Sequence, residues 1–260
     1  MNLLEVKQLE KSFGGVTAIA GLSFNVPKGV VYSVIGPNGA GKTTLFNMLC
    51  GFYIPDNGSI HLDSGQPNSL PVCLQNMPTD QIAQCGISRT FQNLQIFYNM
   101  SVLENVLVGC HLQSSIGFLP ALFRLASVQK EEQLVRQNAY QALEFCQLEK
   151  LADVSADSLP YGDLKRLEIA RALASKPQLL MLDEPAAGLN DSETRDLSKL
   201  IRKICDLGIT VLLVEHNMKL VMQSSDQIMV LNFGSLLAQG SPQEIQNDPV
   251  VIQAYLGGEL

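Results

Sequence analysis

No Cys-x-x-Cys pair occurs among the six cysteines (Cys50, Cys73, Cys85, Cys110, Cys146 and Cys205), and the three histidines add no tight zinc spacing. The cysteines are therefore expected to be small buried hydrophobes of a reducing compartment, with no redox role. Long apolar runs are missing too. The longest charge-free candidate, residues 105–123, is broken by His111, Gln113, Ser114, Ser115 and Pro120. A membrane helix needs about 18–20 apolar residues. Excess positive charge is absent: 18 Lys+Arg against 25 Asp+Glu leave −7, without the basic footprint of a nucleic-acid binder. The opening residues Met1-Asn2-Leu3-Leu4-Glu5 carry no pattern of a secretory signal. The chain is expected to be cytosolic, with any membrane association supplied by a partner and no nucleic acid bound.

What is present is a globular composition. Hydrophobic residues make up 46% and charged residues 17%, which excludes a disordered, collagen-like or coiled-coil chain. At 260 residues, one to two domains are expected, burying roughly 70–75% of the unfolded surface without help from a disulfide or structural metal.

Along the chain, residues 3–8 and 22–26 read as short strands, separated by a Phe13-Gly14-Gly15 turn. Val30-Val31-Tyr32-Ser33-Val34-Ile35 is an apolar run of the kind buried on both faces, ending at Gly36 with a helix opening near Lys42. Leu179-Leu180-Met181-Leu182 and Thr210-Val211-Leu212-Leu213-Val214 match it. Such runs alternating with helical stretches predict an α/β fold with a parallel sheet. Residues 63–80, with Pro67, Pro71 and Pro78, predict an irregular loop. Residues 101–147 read as helical, with Val135, Ala139, Ala142, Leu143 and Cys146 on one apolar face. Residues 228–232 and 236–239 read as a hairpin about Gly234, followed by two short helices at 242–247 and 249–256, each opened by proline. No internal repeat is visible.

Gly36-Pro37-Asn38-Gly39-Ala40-Gly41-Lys42-Thr43 fits G-x-x-x-x-G-K-[ST], a pattern met by chance in roughly one chain in a hundred of this length. Its glycines let backbone N–H groups turn around phosphate oxygens, and the helix N-terminus adds partial positive charge. Lys42 supplies a point charge for the β/γ-phosphates and the Thr43 hydroxyl a Mg²⁺ ligand. Further on, the strand at 179–182 runs into Asp183-Glu184-Pro185, placing both carboxylates at the C-terminal edge of the sheet, where ligands of α/β folds sit. Asp183 is expected in the Mg²⁺ shell, through water, and Glu184 as the general base that polarises an attacking water. The alternative for the pair is a solvated acidic turn.

Leu159-Pro160-Tyr161-Gly162-Asp163, followed by Arg166-Leu167-Glu168-Ile169-Ala170-Arg171-Ala172-Leu173, resembles the signature motif of ATP-binding cassette (ABC) ATPases. Gln92 in Arg89-Thr90-Phe91-Gln92-Asn93 is similar to the Q-loop glutamine, Ala187-Gly188-Leu189-Asn190 to the D-loop, and His216 to the switch histidine. Phe13 stands where an aromatic stacks on adenine. The resemblance spans about residues 3–257. Residues 89–93 and 186–190, Met218-Lys219-Leu220-Val221-Met222 and Ala254-Tyr255-Leu256-Gly257 resemble one ATP-binding subunit of branched-chain (hydrophobic) amino acid importers. Other cargoes (urea, amides, other amino acids) stay open. A non-transport ABC ATPase acting on nucleic acid is disfavoured, since the stretch from Lys42 to Asp183 is too short for long coiled coils and only one cassette is present.

The resemblance implies a P-loop, RecA-like core at 1–92 and 158–240 with N-terminal antiparallel strands, an inserted helical and signature subdomain at 93–157, and a helical tail at 241–260. It implies ATP and Mg²⁺, with catalytic roles for Lys42, Gln92, Glu184 and His216. Nucleotide contacts fall to Phe13, Gly36, Pro37, Asn38, Gly39, Ala40, Gly41, Lys42, Thr43 and Thr44, and to Tyr161, Gly162 and Asp163 from a second cassette; Thr43, Gln92 and Asp183 serve the metal. The implied partners are integral membrane permease subunits, a second identical or paralogous cassette, and indirectly a solute-binding protein, at the cytoplasmic face of the membrane.

Pro160, Tyr161 and Asp163 replace the usual Ser, Gly and Gln, and losing the serine hydroxyl removes a hydrogen bond of about 1.5–3 kcal/mol to the γ-phosphate. Asn190 replaces the usual D-loop Asp, keeping its shape and hydrogen bonding but not its charge. A helix is expected to start near Asp163, placing Lys165 and Arg166 in a first turn where the macrodipole disfavours cations, either facing an anion or simply exposed. Phe13 has core packing as its alternative, Gln92 a solvated loop, and His216 a structural role.

Overall fold

The computed structural model describes residues 1–63, 70–110 and 126–256. Strands β1 (Asn2–Phe13) and β2 (Val16–Pro27) form a long antiparallel hairpin. Both outrun the predicted short strands, because their exposed outer halves carry no apolar alternation to betray them. β3 (Val31–Ile35) is buried along its whole length and leads through the glycine loop into α1 (Lys42–Leu49). β4 (Asn57–Leu62) pairs with β1, and β5 (Val72–Cys73) pairs with β4. The predicted irregular loop at 63–80 therefore contains an edge strand, and α2 (Thr79–Gln84) begins inside it; residues 64–69 lie outside the described residues.

β6 (Ile87–Arg89) leads past the Q-loop to α3 (Val102–Gly109), α4 (Ala126–Phe145), α5 (Tyr161–Ala174) and β7 (Leu179–Asp183). Ala139, Ala142, Leu143 and Cys146 are buried on the predicted face, with Val135 packed against them. Of the charge-free stretch at 105–123, residues 111–123 lie outside the described residues; among those described, no helix is long and apolar enough to cross a membrane. Then come α6 (Asp191–Asp206), β8 (Thr210–Val214), α7 (Met218–Ser224), β9 (Gln227–Asn232), β10 (Ser235–Gly240), α8 (Pro242–Asn247) and α9 (Pro249–Leu256).

Two sheets result, one antiparallel in the order β2-β1-β4-β5, the other β10-β9-β3-β8-β7-β6. In the second, β9, β3, β8, β7 and β6 are parallel to their neighbours, as the apolar runs predict, and β10 is antiparallel at the edge. Successive side chains of a strand point to opposite faces. Leu180 and Leu182 of β7 accordingly join the core under α3–α6, whereas Leu179 and Met181 join the one shared by α1 and the antiparallel sheet. Packed from both sides, the central strands hold their C-terminal ends in one rigid row. Of the free cysteines, Cys50, Cys110, Cys146 and Cys205 are buried as expected; Cys73, on the two-residue edge strand, is exposed and Cys85 half-buried.

Candidate active site

The loop between β3 and α1 is shaped by its neighbours. Gly36 has φ +150°, and a Cβ there would strike the Leu231 carbonyl oxygen of β9, so only glycine fits. The Gly234 N–H donates to Ala40 O at 3.0 Å, tying the β9–β10 turn to the back of the loop. Lys42 folds over it, its Nζ donating to Gly36 O at 2.7 Å and Pro37 O at 3.0 Å. Burial pulls the Lys42 ammonium below its ordinary value, while the charges of Glu184 and Asp183 push the other way. Loop lysine and both acids thus share one electrostatic site. Asn38 and Gly39 are exposed, as is Thr43 in the first turn of α1 beside half-buried Thr44, so this cradle is open to a ligand.

Asp183 ends β7 with 4% exposure, which removes the solvated-turn alternative. Arg89, from the end of neighbouring β6, donates to its Oδ2 at 2.7 Å and to Asn47 Oδ1 at 2.7 Å. The guanidinium lies 5.0–6.0 Å from the ring centroids of Phe91, Phe46 and Phe52. Glu184 takes φ +47°, a left-handed conformation costly for any residue with a Cβ, and its N–H is held by Val214 O at 2.9 Å. On its Oε2 two side chains converge: Gln92 Nε2 at 3.0 Å and His216 Nδ1 at 3.7 Å.

Arg89 and Glu215 carry site geometry that sequence reasoning left without a role. Glu215, 1% exposed, accepts from Ala186 N at 2.7 Å, His216 N at 3.1 Å and Asn217 N at 3.0 Å. It clamps the segment after Glu184 to the segment carrying His216. Burial pushes its carboxyl up, opposed by those N–H donors. The available signal was a carboxylate following an apolar strand, beside a histidine.

The signature residues lie apart from this cluster; among the described residues, no hydrogen bond or ion pair joins Tyr161, Gly162 or Asp163 to the phosphate loop. Tyr161 packs on the D-loop and Gly162 on α6 instead. Tyr161 approaches so closely that a Cβ on Gly188 would lie 2.9 Å from its ring, and Gly162 faces the Glu193 carboxylate in the same way. Asn190 caps α6, its Oδ1 accepting from Ser192 N and Glu193 N, while Glu193 Oε2 accepts from Asn190 N. An amide oxygen suffices for that cap.

Helix α5 starts at Tyr161 behind Pro160, earlier than the expected Asp163. Lys165 and Arg166 therefore sit in the second turn, and the macrodipole reading is overturned. The exposed alternative fails as well for Lys165, which is 3% exposed, lies 5.8 Å from the Tyr161 ring, and has no hydrogen-bond partner for Nζ among the described residues. Arg166 reaches Asp163 at 3.8 Å. Phe13 is 41% exposed at the end of β1, edge-on to Tyr53 with centroids 5.2 Å apart, which excludes plain core packing.

A glycine loop ahead of α1, two acids ending β7 and a helical region over a parallel sheet define an ATP-binding cassette. Residues 19–187 match the ABC transporter family model, and residues 235–260 match that of the branched-chain amino acid ATP-binding cassette transporter. The chain is 46% identical to the high-affinity branched-chain amino acid transport ATP-binding protein BraF of Pseudomonas aeruginosa, and 44% identical to its counterpart LivG of Escherichia coli; each alignment covers 98% of both chains. The crystal structure of an ABC transporter's ATP-binding cassette in its ADP conformation superposes with TM-score 0.84 at 33% identity, covering 99% of both chains. The chain belongs to the branched-chain amino acid ATP-binding cassette family of ABC transporters.

Proposed function

We propose that this chain is the ATP-hydrolysing subunit of an importer for branched-chain and other hydrophobic amino acids. Permease subunits seat it on the cytoplasmic face of the membrane, and a solute-binding protein delivers the cargo to them. Two cassettes, identical or paralogous, close head to tail. The observation that carries the reading is the convergence of Gln92 and His216 on one oxygen of Glu184, beside a phosphate loop whose lysine lies in the field of Asp183 and Glu184.

In this mechanism Phe13 stacks on adenine, and the N–H groups of residues 36–44 wrap the triphosphate. Lys42 exchanges the Gly36 and Pro37 carbonyls for the β/γ-phosphates. Glu184 accepts the proton of the attacking water, with Gln92 and His216 fixing its carboxylate and His216 meeting the γ-phosphate. Tyr161, Gly162 and Asp163 of the second cassette cap the nucleotide, and closure excludes water. Thr43, Gln92 and Asp183 supply the hard oxygen donors that suit Mg²⁺. Arg89 engages one Asp183 oxygen, and Gln92 spends its amide nitrogen on Glu184, leaving oxygens for the metal. Magnesium would neutralise phosphate charge.

In this arrangement the ATP-binding core spans 1–92 and 158–240, the helical subdomain 93–157 and the tail 241–260. A cavity of about 480 Å³, lined by Arg89, Phe91, Ile96, Phe97, Val108 and Arg171, holds a cytoplasmic helix of the permease; Phe97 and Val108 are exposed at it. The test is equilibrium binding of MgATP: wild type binds, and Lys42→Ala binds far more weakly. Equal affinity of the two would overturn the assignment of the loop.

A further inference from the structure

The tip of the β1–β2 hairpin, which carries Phe13, has no core beneath it. Residues 12–17 are all exposed, and Gly14 and Gly15 follow the ring with φ +51° and +88°. A side chain in such a place moves among its staggered rotamers unless something outside the hairpin holds it. The connection from α1 to β4 does so. Tyr53 meets the Phe13 ring edge-on, with 67° between the planes and 5.2 Å between the centroids. Three residues on, Asp56 clasps the same strand end. Its Oδ2 accepts from Ser12 N at 2.7 Å and its Oδ1 from Lys11 Nζ at 2.7 Å, and that ammonium lies 5.4 Å from the Phe13 centroid. Among the described residues, no second aromatic ring meets Phe13.

This connection is itself rooted in the site. Phe52 N and Tyr53 N both donate to Asn47 O in the last turn of α1, at 2.8 and 3.2 Å. The Asn47 side chain takes Arg89, which also holds Asp183. Phe52 packs edge-on to Phe91, the neighbour of Gln92, with centroids 6.1 Å apart. Tyr53 is thereby fixed to the helix whose first residue is Lys42, and it fixes Phe13 relative to the phosphate loop. A ligand can use its base and its phosphates together only if the two subsites keep their spacing. A ring ordered beforehand also costs less to bind against.

We propose that Tyr53 is a positioning residue for the nucleotide base: its ring braces Phe13 in the orientation that stacks on adenine, without touching the base itself. This rests on the reading of Phe13 as the adenine-stacking ring and of residues 36–44 as the phosphate site.

Tyr53→Leu removes the ring at an exposed position, and Tyr53→Phe keeps it. Calorimetry measures binding of MgATP and of magnesium tripolyphosphate, which has phosphates but no base. The proteins are wild type, both Tyr53 variants, Phe13→Ala, and Phe13→Ala combined with Tyr53→Leu. Tyr53→Leu is expected to raise the Kd for MgATP about three- to tenfold, the scale of one aromatic pair, and to leave that for tripolyphosphate unchanged. Tyr53→Phe should match wild type with both ligands. Once Phe13 is alanine, Tyr53→Leu should have no further effect. Unchanged MgATP affinity in Tyr53→Leu overturns the proposal. So does an equal loss with both ligands, which would be a general loosening of α1, or a loss that persists in full without Phe13. A Tyr53→Phe variant as weak as Tyr53→Leu would mean that the hydroxyl meets the nucleotide directly, which also overturns the bracing role. Phe13→Ala with wild-type affinity for MgATP would overturn adenine stacking itself, a separate result.

Discussion

Gln92 Nε2 donates to Glu184 Oε2 at 3.0 Å, joining two residues 92 positions apart. Parallel pairing of β6 with β7 sets this up, since Arg89 lies opposite Met181 and the chain past each strand emerges at the same sheet edge. An amide donor lowers no barrier by itself. Its effect is to hold the carboxylate in one rotamer, with the second oxygen free to face water.

Glu184→Gln is isosteric and keeps an oxygen able to accept from Gln92, but it cannot take a proton. Turnover should fall about 10²–10⁴-fold, the usual contribution of a positioned base, while MgATP affinity stays within a few fold of wild type. Single-turnover hydrolysis alongside equilibrium binding checks this. A variant with wild-type turnover would remove Glu184 from the base role.

Arg89→Met should cost about 3–5 kcal/mol of stability, because it strands the buried Asp183 carboxylate without its counter-charge. Arg89 and Asp183 have side-chain exposures of 7% and 6%, and the lost guanidinium also leaves Asn47 without its donor. Adding Asp183→Asn should recover part of the loss, since no unpaired charge then remains. Urea unfolding of both variants measures the difference. A loss below about 1 kcal/mol for the single variant would mean that the ion pair is solvated in practice.

The pair also marks where the sequence stops being readable. The phosphate loop is contiguous, so its spacing alone announces it, and β3, β7 and β8 declare themselves as short apolar runs buried on both faces. Proline opens both α8 and α9 and so marks each of them locally. The Arg89–Asp183 contact has no local signature, because only the strand order brings its ends together. β5 has no local signature for a related reason: two residues carry no periodicity, and β4 alone makes them a strand. At α5 the local signal misled. Asp163 is a good capping residue by type, yet the chain enters the helix at Tyr161, straight after the extended Pro160.

Glu168 provides a prediction in pH. It is 3% exposed, and Phe91 N donates to its Oε1 at 3.2 Å, which ties α5 to the Q-loop. Burial pushes its carboxyl above the ordinary glutamate value, against the pull of the Phe91 N–H, Lys165 and Arg171. A raised folded value gives stability that is present in full below the unfolded value, about 4.3, and is lost as pH rises through the folded one. Glu168→Gln has no charge to desolvate and can still accept from Phe91. It should therefore melt higher than wild type at pH 8, with the gap closing as pH falls toward 4. Melting temperatures across that range decide the matter. A gap that is constant with pH would mean that folding does not shift this carboxyl, and one that widens toward acid would mean that the ionised carboxylate is the form the fold prefers, with Lys165 and Arg171 outweighing its burial.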